Sequence, residues 1–175
     1  MTRAAAREIA VQLCFAQSGE ADNVDAALDN FFDREYYETL NSETEGFAEY
    51  PNGKQRAYIR DIVAGVAAHQ EEIDGCIERF SRGWKLSRIS RTALAVLRVA
   101  VYEILYVSDV PCGVAISEAV ELAKGYDVPE TVAFINGVLG GFARSLEETQ
   151  TDAAAENAAQ ETEEPAAEAA AVTEE

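Results

Sequence analysis

The chain is poor in the residues that do most enzyme chemistry. Among 175 residues there is one histidine, His69, with three cysteines, four prolines and one tryptophan. A single histidine, with no serine in a nucleophile-elbow setting, leaves no acyl-transfer triad to assemble. Cys14, Cys76 and Cys112 stand 62 and 36 residues apart. That spacing holds neither a CxxC pair nor a Cys/His zinc pattern, so no metal site is predicted. Three such thiols read as reduced and mostly buried, the usage of a cytoplasmic protein. Long apolar runs are missing as well. The start, MTRAAAREIAVQL, lacks the apolar stretch of a signal peptide. The oiliest segment, ALAVLRVAVYEILYV at 93–107, carries Arg98 and Glu103. It falls short of the about 20 residues a membrane-spanning helix needs, so no membrane association is predicted. The glycines of GVLGG at 137–141 have no strand before them, which excludes a phosphate loop and leaves close helix packing. The sequence predicts no enzyme and no cofactor.

Bases are scarce too, 14 against 32 acids, for a net charge of −18. Eight of the acids and none of the bases fall in residues 149–175, so the remainder carries about −10. A field of that sign repels phosphate at long range, and a nucleic-acid site must then be a local basic patch. One window qualifies. Arg79, Arg82, Lys85, Arg88, Arg91 and Arg98 lie in residues 79–98, which hold no acid. They are either a solvated connector that neutralises the acidic second helix or a contact surface for phosphate or an acidic partner.

Apolar residues recur at three and four, and no strand-like alternation occurs, so the fold class is all-α. The first helix is expected from an N-cap at Thr2 through Gln17, stopped by Ser18–Gly19. A second is expected over 23–40, burying Val24, Leu28, Phe31 or Phe32, and Tyr36. Residues 41–53 form a loop ending in Pro51–Asn52–Gly53. Helical spacing returns from Lys54 to about Arg82, with Gly65 and Gly75 as breaks or points of close packing and His69 on a surface near a junction. Residues 91–107 are apolar round the whole circumference and read as the central helix. Its Arg98 needs a partner, for which Glu118 and Glu121 are candidates. Helices at 113–125 and 130–147, the last started by Pro129, complete a domain of residues 1–148. Residues 149–175 read as an acidic, Ala/Glu-rich disordered tail.

The corner between the last two helices carries Lys124, Tyr126 and Phe134. On a helical wheel Val132, Ile135, Leu139 and Phe142 share one sector, and Phe134 lies about a quarter turn away. An off-axis aromatic is either a flank of the core or, beside Tyr126 and Lys124, a surface on which unpaired bases stack.

Five segments together resemble the NusB transcription antitermination family: AREIAVQLCF at 6–15, RDIVAGV at 60–66, LRVAVYEILYVSDVP at 97–111, VAISEAVELAKGY at 114–126 and FINGVL at 134–139. The resemblance spans about residues 3–146. It implies two small helical bundles packed together, about seven helices in all, and no catalysis. It also implies binding of boxA-type single-stranded RNA from the leaders of ribosomal operons, jointly with the ribosomal protein NusE, within an RNA polymerase antitermination complex. By the same resemblance Arg3 and Arg7 match the ends of an arginine-rich RNA-binding segment, and Lys124 belongs to a matched Ala–Lys pair. Tyr126 falls where many members have phenylalanine, Glu130 at an acidic position close to RNA, and Phe134 on the RNA-contacting aromatic. The arginine segment is thinned here to RAAAR, and Ser117 stands where asparagine is usual. Fewer phosphate contacts imply weaker, less salt-dependent binding and more reliance on NusE. The alternative is a helical protein–protein adaptor whose RNA binding is weakened or lost.

Overall fold

The computed structural model describes residues 1–17, 23–41, 47 and 49–163. Among them eight α-helices occur, with a 3-10 turn at Leu86–Arg88, and no strand. Helices α1 (Arg3–Ala16), α2 (Val24–Phe31), α3 (Arg34–Asn41) and α4 (Gly53–Ala68) form one bundle. Helices α5 (Gln70–Phe80), α6 (Arg91–Tyr106), α7 (Cys112–Tyr126) and α8 (Pro129–Glu163) form the second, with the 3-10 turn Leu86–Arg88 between α5 and α6. The bundles meet where α1 and α4 pack on α6.

Local chemistry starts the helices. The Thr2 hydroxyl accepts the Ala5 amide at 3.1 Å, and Ser90 Oγ accepts the Ala93 amide at 3.1 Å. At α4, Asn52 and Gln55 form a reciprocal capping box, with amide-to-side-chain distances of 3.1 and 2.8 Å. Helix α6 is packed by α1, α4, α5, α7 and α8, and Ala93 and every residue of Ala95–Glu103 is buried. That is why its sequence is apolar all round.

Several expectations are corrected. The expected second helix is two, broken at Phe32–Asp33, and the helices among the described residues come to eight. Asp33 Oδ1 accepts the Tyr36 amide at 3.0 Å and restarts the chain as α3. The break shifts the register by one, so Tyr37 is buried and Tyr36 is exposed. The Tyr37 ring meets Phe31, Phe47 and Tyr50 edge-on at 5.6, 5.8 and 5.0 Å. Gly65 is a point of close packing: a Cβ there would lie 2.1 Å from the Tyr102 ring. Gly75 is neither a break nor a contact, since it sits inside α5 with nothing within 4 Å of its Cβ position. The break falls at His69, which ends α4 and precedes α5.

Arg98 pairs with Asp74 of α5, at 2.7 Å from both Nε and Nη2, not with Glu118 or Glu121. Glu103, five residues on and about 140° round the helix, faces α1 instead and takes Arg7. The last helix also runs past the end expected at residue 147 and continues to Glu163. Extending a helix already nucleated by packing costs no new nucleus, and Ala, Glu and Gln are good formers. Residues 164–175 lie outside the described residues, as do Ser18–Gly19 and, within the 41–53 loop, residues 42–46 and 48. Among the described residues no helix is long and apolar enough to cross a membrane.

Candidate nucleic-acid interface

The connector between α5 and α6 has unusual backbone. Arg82 has φ 48° and Gly83 has φ 85°, two consecutive left-handed residues. Glycine takes this conformation freely, whereas for arginine it costs roughly 1–2 kcal/mol. The turn delivers Trp84 to the surface, 54% exposed, with its ring 5.8 Å from that of Phe134 at 44°. Phe134 is half-buried one turn into α8, beside the buried Ile135, Val138 and Leu139. On one side of this ring pair is an open recess of about 210 Å³ edged by Arg88, Ser90, Glu130 and Thr131. On the other is a recess of about 300 Å³ edged by Phe80, Arg82 and Gly137. Arg82, Lys85 and Arg88 are exposed and make no ion pair with the described residues.

Tyr126 stands on the far side of a link in which Ser90 Oγ donates to Asp127 Oδ2 at 3.1 Å. Its hydroxyl donates to Glu8 at 2.5 Å and accepts from Gln12 Nε2 at 2.9 Å. Burial and the Glu8 carboxylate hold its phenol above the ordinary value. With Phe15 it borders a recess of about 190 Å³. Arg91 lies over the Phe15 ring at 4.7 Å from the centroid and donates to the Phe15 carbonyl at 3.1 Å. Tyr126 and Phe134 therefore belong to one edge but to separate recesses.

The remaining site residues are spread. Lys124, in the last turn of α7, is exposed and pairs with Glu121. Glu130 is exposed in the first turn of α8, at the rim of the Trp84–Phe134 recess. Arg3 is at the opposite end of α1 from Gln12, about 13 Å away at the helical rise. It donates to Asp109 at 2.9 and 3.0 Å and lies over the Tyr58 ring at 4.9 Å. The hydrogen bonds to Asp109 raise its pKa. Arg7 is not on a surface with Arg3. It is 3% exposed, donating to Glu103 at 2.7 and 3.0 Å and to Glu118 at 2.7 Å. Burial opposes its charge, but the Glu103 hydrogen bonds and charge outweigh that and its pKa is raised. The fully buried Glu103 needs a cation, and Arg7 is the one α1 brings to it.

The neutralising reading of the basic window also changes. The acids of α2 are met by Arg60, which pairs with Asp25 at 3.3 Å and with Asp29. Arg82, Lys85 and Arg88 are exposed to solvent and take no part in that neutralisation. Trp84 and Phe15 escaped the sequence reading as surface aromatics. The usable signal was the single tryptophan of the chain inside its one acid-free basic window. Among the described residues no group of three or more His, Cys, Asp or Glu could hold a metal.

The body is all-helical, and one surface sets exposed rings beside cations that make no ion pair among the described residues. The family model described as NusB family matches residues 4–144, and the chain belongs to that family. A transcription antitermination protein NusB of Acetivibrio thermocellus is 46% identical over 140 residues, covering 80% of this chain and 87% of the relative. The one from Clostridium acetobutylicum is 36% identical over 148 residues, covering 85% and 99%. The solved structure of T. maritima NusB superposes with a TM-score of 0.61 at 26% identity, covering 82% of this chain and 92% of that one. Both of these sequence relatives are transcription antitermination proteins.

Proposed function

We propose that this chain binds boxA-type single-stranded RNA from ribosomal operon leaders together with NusE, and so helps RNA polymerase read through terminators. The observation that carries the reading is the set of three unneutralised cations, Arg82, Lys85 and Arg88, beside exposed rings on one edge of a chain otherwise strongly acidic. A single strand needs this pairing of cations for phosphate and planar faces for bases. Phe134 and Tyr126 supply stacking faces, Lys124 and Arg3 supply flanking charge, and Glu130 restrains binding at the rim. Arg7 acts by holding α1 against α6 and not as a phosphate ligand. Residues 1–148 are the binding unit, cytoplasmic in location, with the acidic tail outside it.

One observation favours the adaptor alternative: both arginines of RAAAR are already engaged, Arg3 by Asp109 and Arg7 by Glu103. Fluorescence anisotropy of a labelled boxA-type RNA, with and without NusE and over a salt series, tests the two. Binding by this chain alone or with NusE is the expected result. No binding in either case overturns the RNA reading and leaves the adaptor.

A further inference from the structure

We infer that Trp84 is a base-stacking residue, holding one unpaired nucleobase in the recess it shares with Phe134 while Arg88 and Lys85 take the adjoining phosphates. This inference rests on the RNA-binding reading above and names a contact that the sequence resemblance does not assign.

Three independent observations meet at this residue. The first is exposure: Trp84 is the most exposed large aromatic of the chain at 54%, although its ring already has a partner in Phe134 at 5.8 Å. A tryptophan that only closed a core would bury its second face. The second is backbone conformation. The left-handed turn at Arg82–Gly83 includes a non-glycine residue, and such strain persists where the surroundings impose it, often at a ligand site. Here the turn sets the indole beside Phe134 so that both rings border the same recess. The third is charge. Lys85 follows Trp84 directly, and Arg88 edges the recess one turn on. Neither has an anionic partner among the described residues.

The recess itself limits the ligand. At about 210 Å³ it is below the roughly 300–1,000 Å³ typical of pockets that enclose a whole small molecule. It is open, edged by Ser90, Thr131 and Glu130 and walled by rings. A flat heterocycle can lie on the indole with its edge toward those groups. A protein surface would need its own acids to match Lys85 and Arg88, whereas a nucleotide brings a phosphate on each side of its base. The nucleobase is therefore the better match.

The chain has one tryptophan, so indole emission reports on this position alone. Unlabelled boxA-type RNA is titrated into the full chain with emission excited at the red edge, where tyrosine does not absorb. Anisotropy of labelled RNA is followed in parallel, with NusE present. Saturable quenching of Trp84 at the concentration where anisotropy rises is expected. Trp84→Ala should bind about five- to a hundred-fold more weakly, and Trp84→Phe should recover most of that. Circular dichroism of both variants checks that the helices persist. RNA binding with unchanged emission and full affinity in Trp84→Ala overturns this inference and leaves the RNA reading standing. Emission that responds to NusE but not to RNA also overturns it, making Trp84 a protein contact. No RNA binding by the unmodified chain overturns both.

Discussion

Arg7 of α1 and Glu103 of α6 close a buried ion pair across the junction of the two bundles, with Tyr58 donating a third hydrogen bond to the same carboxylate at 2.6 Å. The Arg7 side chain is 4% exposed and that of Glu103 is 0%. Charges at that depth are held by each other, so the pair governs whether α1 stays seated.

Removing one partner strands the other. Arg7→Met should cost about 3–5 kcal/mol, whereas Arg7→Met with Glu103→Leu should recover most of the loss. Arg3→Ala breaks a half-exposed pair and should cost less than about 1 kcal/mol. Urea midpoints of the variants rank these effects. Equal losses for Arg3→Ala and Arg7→Met would contradict the buried role.

Two glycines should respond with opposite sign. Gly65→Ala drives a methyl into the Tyr102 ring and should destabilise by about 1–3 kcal/mol. Gly75→Ala meets nothing within 4 Å inside a helix and should stabilise by about 0.5–1 kcal/mol. Thermal denaturation of both variants checks the pair together.

The salt dependence of RNA binding should separate surface cations from the buried one. Replacing Arg82, Lys85 and Arg88 by glutamine should reduce the slope of log K against log salt by about 2, at roughly 0.7 per lost single-strand contact. Arg7→Gln should lower stability and leave the slope of the folded fraction unchanged. Anisotropy titrations at several salt concentrations give both slopes.

Burial pushes the Cys14 thiol up to about 12, so it stays protonated across the neutral range. The thiolate is the reactive form, and at pH 8 its fraction is on the order of one in ten thousand. Alkylation of native protein, mapped by mass spectrometry, should spare Cys14 and label it once urea unfolds the chain. Rapid native labelling would show that α1 opens locally.

Truncation after Glu148 should leave the unfolding midpoint and RNA affinity within error, because Leu146 packs on the core while Glu147, Glu148 and Thr149 are exposed. A lower midpoint would make the 149–163 extension of α8 part of the domain.

The starts of the first and last helices were legible because their signals are local: Thr2 and Pro129 act within one turn of their own position. The central place of α6 was legible because a helix without a polar face has nowhere else to go. Tyr37 was not, since its burial depends on a break at Asp33 that helical spacing alone does not reveal. The partner of Arg98 was missed for a related reason. Several acids lay within plausible reach along the chain, and only the packing of α5 on α6 selected Asp74.

The sequence by itself determined the all-α class, the helix starts after Thr2 and at Pro129, and the family to which the chain belongs. These are properties of residue type and short-range spacing. Tertiary structure decided which arginines face water and which face Glu103. It also placed Trp84 against Phe134, 50 residues away in the chain. Whether a charge is a surface contact or a core strut depends on what packs over it, and that is fixed only when distant helices meet.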